Sequence, residues 1–211
     1  MTTDKSAGLT SETSEAGAFE TRLPRNGDRL FLESTWTYDA QVVRDPKERF
    51  YRMPMGYKRA GDLLIEQATA NVVDRANVIY AALFCYRQGI ELYLKSLIAE
   101  FGKKGKDSDT HQLDLLWGRF TDIVKGRGKG DSVDLSTVQA LVLEMHEADQ
   151  YSDGFRYPTT KTTKKKEGAP FDCGDRGIDL SNVREVMQGL ANFFECTSLE
   201  FSQRDEFSPD Q

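Results

Sequence analysis

The stretch over residues 76–99 carries apolar side chains around most of a helical circumference, a pattern that points to a helix covered on several sides. Charge interrupts it at a fixed interval: Arg87, Glu91 and Lys95 recur every fourth residue and stack in one stripe, with Gln88 beside it. A charge inside a covered helix persists only when paired or hydrogen-bonded, whereas a charge on a solvated strip costs little. The stripe therefore faces either water, as a ladder of ion pairs contributing about 0.2–0.5 kcal/mol each, or a polar cavity or subunit contact closed by later segments. Gly89, inside the same helix, costs about 0.8–1 kcal/mol relative to alanine and favours the closed arrangement, because close packing is the simplest reason to keep it.

The chain has 211 residues, which suits one domain with a full core. Hydrophobic residues make up 38% and charged residues 29%, a balance that calls for polar ends around a globular centre. No run of about 18 apolar residues is free of charge, and the first residues lack the basic-then-apolar order of a secretory signal, so a cytoplasmic location with no membrane association is expected. Cys85, Cys173 and Cys196 are odd in number, widely spaced and without a Cys-x-x-Cys or nearby His, which disfavours a disulfide framework and a metal site; Cys85 and Cys196 read as helix core residues. The formal charge of −6 offers no global attraction to phosphate backbones, so nucleic-acid contact would have to be local. No P-loop, GxGxxG, HExxH or Gly-x-Ser-x-Gly occurs, and no cofactor is expected.

Residues 1–28, rich in Ser, Thr, Gly and Glu and without periodicity, read as a disordered leader. Residues 29–55 are aromatic but broken by Pro46 and Pro54, and read as an arm with a short helix at most. Helical periodicity governs 56–203, a bundle domain, and 204–211 read as a flexible tail. Tyr57, Ala60, Leu63, Leu64 and Ala68 mark a first helix ending near Asn71; the central helix runs from about Asp74 to Phe101, with Gly102 as its stop. A third helix buries Leu113, Leu116, Trp117, Phe120, Ile123 and Val124 and breaks at Gly126. Two later helices follow the repeated pattern Asp134-Leu-Ser-Thr-Val138 and Asp179-Leu-Ser-Asn-Val183, in which Ser136 and Ser181 can accept the first free amide hydrogens. Pieces at 155–158 and 171–179 flank the basic loop of Lys161, Lys164, Lys165 and Lys166. The fold class is thus all-α, a bundle of four to five helices, with at most one short β-hairpin or an extended basic loop before the last helix.

Glu91-Leu-Tyr-Leu-Lys-Ser-Leu-Ile98, a short polar loop, and then His111-Gln-Leu-Asp-Leu-Leu116 resemble the central helix and the following His-x-Leu helix start of HEPN-type bundles; Phe155-Arg-Tyr-Pro158 is similar to a segment of the same group. The resemblance covers about residues 57–200. It implies an all-helical, homodimeric fold used in nucleotide-binding and RNA-binding modules, in toxin–antitoxin systems beside a cognate toxin, antitoxin or nucleotidyltransferase, and in phage defence. The family's metal-independent ribonucleases carry an Arg shortly followed by a His. Here the only histidines are His111 and His146, and the nearest preceding arginines, Arg87 and Arg127, lie too far upstream. That departure argues against catalysis.

A binding site is expected from Arg87, Glu91, Lys95, His111, Arg156 and Tyr157. Glu91 would orient the bases and the His111 ring, while Lys95 and Arg156 would meet an anion. Pro158 biases Tyr157 toward extended chain, which would let Arg156 fork onto a carboxylate such as Glu91 or onto a phosphate. The basic loop could add local attraction to RNA, although such a run is commonly just solvated. The alternatives are a ribonuclease built from His111 or His146 with Arg156, and a structural oligomerisation module in which all these charges are ion pairs. His146, beside Glu144 and Glu147, reads as a surface or partner-contact residue.

Overall fold

The computed structural model describes residues 23–31, 42–102, 109–127, 135–158 and 177–207. Among these residues there are five helices: α1, Pro46–Ala70; α2, Arg75–Phe101; α3, Leu113–Gly126; α4, Leu135–Ala148; and α5, Leu180–Phe207. No strand occurs among the described residues, and the chain is an all-α bundle. The pieces at 171–176, the basic-loop lysines, Cys173 and most of the expected leader lie outside the described residues, while 155–158 form a turn rather than a strand. None of the described helices is long and apolar enough to cross a membrane.

Two compact units divide the chain, Met1–Val42 and Val43–Gln211. Within the first, Asp28 closes a turn: Arg25 N donates to Asp28 Oδ2 at 2.8 Å, around Gly27 at φ 90°. That positive φ is glycine's region.

The second unit begins earlier than periodicity suggested. Residues 46–55 are helical and continuous with the rest of α1, where the sequence led to an arm with a short helix at most. The prolines explain both the misreading and the outcome. Pro46 occupies the first turn, where a missing N–H costs nothing, and Asp45 caps the helix by accepting from Lys47 N at 2.8 Å. Pro54 sits inside the helix and is buried there, its lost backbone bond offset by packing of α1 along α2.

α1 and α2 form an antiparallel hairpin across residues 71–74. Gly61 lies under the Tyr86 ring, and Gly89 faces the α1 backbone near Pro54 and Lys58. A Cβ at Gly89 would sit 3.6 Å from Lys58 N and from Pro54 O, so close approach is present but leaves room for a methyl. At Gly61 a Cβ would fall 2.5 Å from Tyr86 Cε1, a distance that demands a shift.

The core centres on α2, α3 and α5, joined by Ile65 of α1 and by Val138 and Val142 of α4. Tyr93 and Phe194 stack with centroids 5.4 Å apart, and Phe120 meets Phe194 edge-on at 6.2 Å. Trp117, Phe120 and Val124 give α3 the buried stripe its periodicity predicts. At the far end Arg127 pairs with Asp205 at 2.7 Å, its guanidinium lying 5.0 Å from each of the Phe101 and Phe201 rings, which carries α5 as helix to Phe207, beyond the expected start of the tail at 204.

The cap of α5 also differs from expectation. Asp179 Oδ1 accepts from Ser181 N and Asn182 N at 3.0 Å each, so Asp179 caps and Ser181 is inside the helix; Ser136 likewise falls within α4. Cys85 is half-buried and its thiol is pushed up by desolvation, whereas Cys196 is exposed on α5 rather than in the core.

Candidate functional site

Arg87 and Glu91 are buried in the middle of α2, at 0% and 1% exposure, so later segments cover the stripe. Two pieces of chain do it, the turn that follows α4 and the residues just before α3.

Arg87 is used from three directions. Nη1 donates to Glu91 Oε2 at 2.9 Å, Nε to the Asp149 carbonyl at 2.9 Å, and Nη2 to the His111 carbonyl at 2.6 Å. The Asp149 carboxylate adds charge without a further hydrogen bond, its Oδ2 lying 3.4 Å from Arg87 Nε. One guanidinium thereby fastens α2, the end of α4 and the start of α3.

Asp149 is a centre in its own right. Its Oδ1 accepts from Asp153 N at 2.8 Å and Gly154 N at 2.9 Å, which folds 149–154 into a tight turn. Ser152 takes φ 58° in that turn and is buried, and a Cβ at Gly154 would approach Asp149 Oδ1 to 3.3 Å. Phe155 then packs inward.

Glu91 faces the other way with its second oxygen. Oε1 receives Lys95 Nζ at 2.9 Å and meets His111 Nδ1 at 2.8 Å. Burial pushes the Glu91 carboxyl up, but hydrogen bonds from Lys95, His111 and Arg87 and the charge of Lys95 more than offset it, and it titrates below its ordinary value. Two cations, Arg87 and Lys95, thus balance two buried carboxylates, Glu91 and Asp149.

The centre has a closed half and an open half. Arg87 and Asp149 have no exposed side-chain surface, whereas the Lys95 side chain is 15% and the His111 side chain 65% exposed. With Nδ1 held by Glu91, the imidazole turns its other face outward beside the Lys95 ammonium. The Lys95 ammonium keeps donors for an anion at this edge, and the outer ring nitrogen of His111 can accept a hydrogen bond from a ligand.

The remaining expected residues lie elsewhere. Arg156 does not reach Glu91; its Nε donates to the Ser152 carbonyl, and its guanidinium lies 5.7 Å from the Phe84 ring and 5.5 Å from the Tyr157 ring. The tight turn fixed by Asp149 sets that direction. Tyr157 is exposed. His146 is largely buried between α4 and α3, with Nε2 3.5 Å from Asp114 Oδ1, instead of on the surface. Within the described residues no group of three His, Cys, Asp or Glu side chains gathers as a metal site.

Asp149 is the residue that periodicity missed. The available signal was turn chemistry: an Asp directly after a helix, with Ser152-Asp153-Gly154 behind it, is a carboxylate able to bond its own following amides. A second network is equally invisible to periodicity. Tyr86 Oη donates to Asp62 Oδ1 at 3.0 Å, Lys58 Nζ to Asp62 Oδ2 at 2.8 Å, and Lys58 also reaches Gln188, tying α1, α2 and α5.

Comparison of the chain with protein-family models, with curated proteins and with solved structures finds no match.

Proposed function

We propose that the protein is a HEPN-like binding protein without catalytic activity, which holds a nucleotide, an RNA end or an acidic surface of a partner through Lys95 and His111. The observation that carries this reading is the solvent edge of the buried centre: an imidazole 65% exposed, docked on a carboxylate that is 1% exposed, beside an ammonium bound to the same oxygen. An ammonium preorganised in this way favours an anion, since it needs no reordering when the anion arrives. The resemblance of 91–98, 111–116 and 155–158 supports the HEPN-like part, and with it a homodimer working in a bacterial defence or toxin–antitoxin system.

Binding of end-labelled single-stranded RNA and of ATP by the purified chain tests this, with Lys95→Gln as the variant. Saturable binding that weakens in the variant supports the reading. Absence of binding to either ligand and to a negatively charged partner discards it.

One observation favours a second reading, metal-independent RNA cleavage: the Glu91–His111 pair orients an exposed imidazole as a general acid or base requires. Loss of labelled total RNA in the presence of a chelator, abolished by His111→Ala, would establish it; intact RNA removes it.

A further inference from the structure

A cavity of about 300 Å³ lies between α2, α4 and the first turns of α5. Its apolar wall includes Leu83 and Ile90 of α2, Leu141 and Met145 of α4, and Val186 and Leu190 of α5. It is independent of the Lys95–His111 edge, since none of the residues around it belongs to that edge. Ligand pockets of this kind, mostly apolar with a few convergent polar groups, begin at about this size.

The helix arrangement accounts for the space. α4 packs on α3, and α5 packs on α1 and α2, while α4 and α5 are not a closely packed pair. Their facing apolar side chains therefore line a gap instead of interlocking. Met145 and Met187 in the wall are unbranched and polarizable, able to follow the outline of a guest.

The polar residues of the described lining are two carboxylates and one amide. Glu144, Asp179 and Asn182 are present, and among the described residues no Lys, Arg or His lines the cavity. Asp179 uses Oδ1 on the amides that cap α5. Asn182 and Glu144 are exposed, so the polar groups stand at the solvent side of an apolar interior. Two carboxylates, with no cation beside them among the described residues, favour a positive head group; an anionic amphiphile would meet repulsion at the same rim.

We infer that this cavity is a binding site for a small amphiphilic organic cation, an alkyl or aryl amine whose apolar body enters between α4 and α5 while its ammonium rests against Glu144 and Asp179. Ala148 and Phe155, which also line the cavity, bracket the Asp149 turn, so a bound amine touches both ends of the segment that Arg87 fastens. Occupancy steadies that turn.

The test uses the full chain with octylammonium, octanoate and octanol, each below its aggregation limit, read by titration calorimetry and thermal shift. Octylammonium is expected to bind saturably at one site per chain and to raise the melting temperature, octanol to bind more weakly and octanoate least. Glu144→Gln should weaken octylammonium binding by about threefold while leaving octanol unchanged, as one partly exposed charge pair warrants. Leu141→Trp fills the cavity and should abolish binding of all three; if that variant fails to fold by circular dichroism, Val186→Phe replaces it. No saturable octylammonium binding, equal binding of octylammonium and octanoate, or binding unaffected by the filling variant overturns the inference.

Discussion

The Nε of Arg87 donates to the backbone carbonyl of Asp149 at 2.9 Å, across a separation of 62 residues, and thereby pins the middle of α2 to the turn after α4. Both side chains are sealed from solvent. Removing one partner of such a pair strands the other as a buried charge, which costs far more than the pair contributes. Arg87→Met is therefore expected to lower unfolding free energy by about 3–5 kcal/mol, read as the urea midpoint at unchanged slope. Arg87→Lys should recover little of it, because an ammonium cannot span the Glu91 carboxylate and the Asp149 and His111 carbonyls together.

Glu91 sets an acid limit. Its carboxyl is held below its ordinary value of 4.5, so its interactions stabilise the fold fully above that value and are lost as pH falls below it through the depressed folded-state value. Glu91→Gln should flatten the pH dependence of the melting temperature in this acid range. An unchanged acid profile would contradict the account.

The alkaline limit has different owners. Burial and the neighbouring Asp62 push the Tyr86 hydroxyl above its ordinary 10.0, and burial and Glu195 do the same for Tyr93. A raised folded value means stability is complete below pH 10.0 and declines as pH rises beyond it. Tyr93→Phe should reduce that decline in a pH series of thermal melts.

The two glycines of the helical hairpin should respond oppositely. Gly89→Ala meets only ordinary contact distances near 3.6 Å and gains helix propensity, an expected stabilisation of up to about 1 kcal/mol. Gly61→Ala would place its methyl 2.5 Å from a Tyr86 ring held by Asp62, and is expected to destabilise by about 1–3 kcal/mol. Denaturant midpoints of the pair decide it.

For α5, Asp179→Ala should cost about 0.5–2 kcal/mol as loss of a cap, and Ser181→Ala close to nothing. The reverse order would restore Ser181 as the cap.

Periodicity located α2 through α5 because their apolar stripes are long and bounded by turn residues; Gly102 ends α2 as a glycine after the last apolar turn should. It fails at the start of α1, where Pro46 looks like a breaker but opens the helix, and where Pro54 is overridden by packing that only the tertiary structure reveals. Within the polar centre, Arg87, Glu91 and Lys95 were legible from spacing alone, and His111 from its place at the next helix start. Asp149 was not, because nothing in a linear pattern says which carboxylate a buried guanidinium will meet. Arg156 was misplaced for the same reason: its direction depends on the turn that Asp149 builds.

The division of this centre into a sealed brace and an open edge is tested most directly by the affinity of His111→Ala for end-labelled single-stranded RNA and ATP, with its urea midpoint recorded on the same preparation. The account predicts at least about a fivefold loss of affinity for whichever ligand the parent binds, in keeping with one lost hydrogen bond, at a midpoint close to the parent's, since the side chain is 65% exposed. Unchanged affinity together with a collapsed midpoint would contradict it and make His111 a further part of the brace.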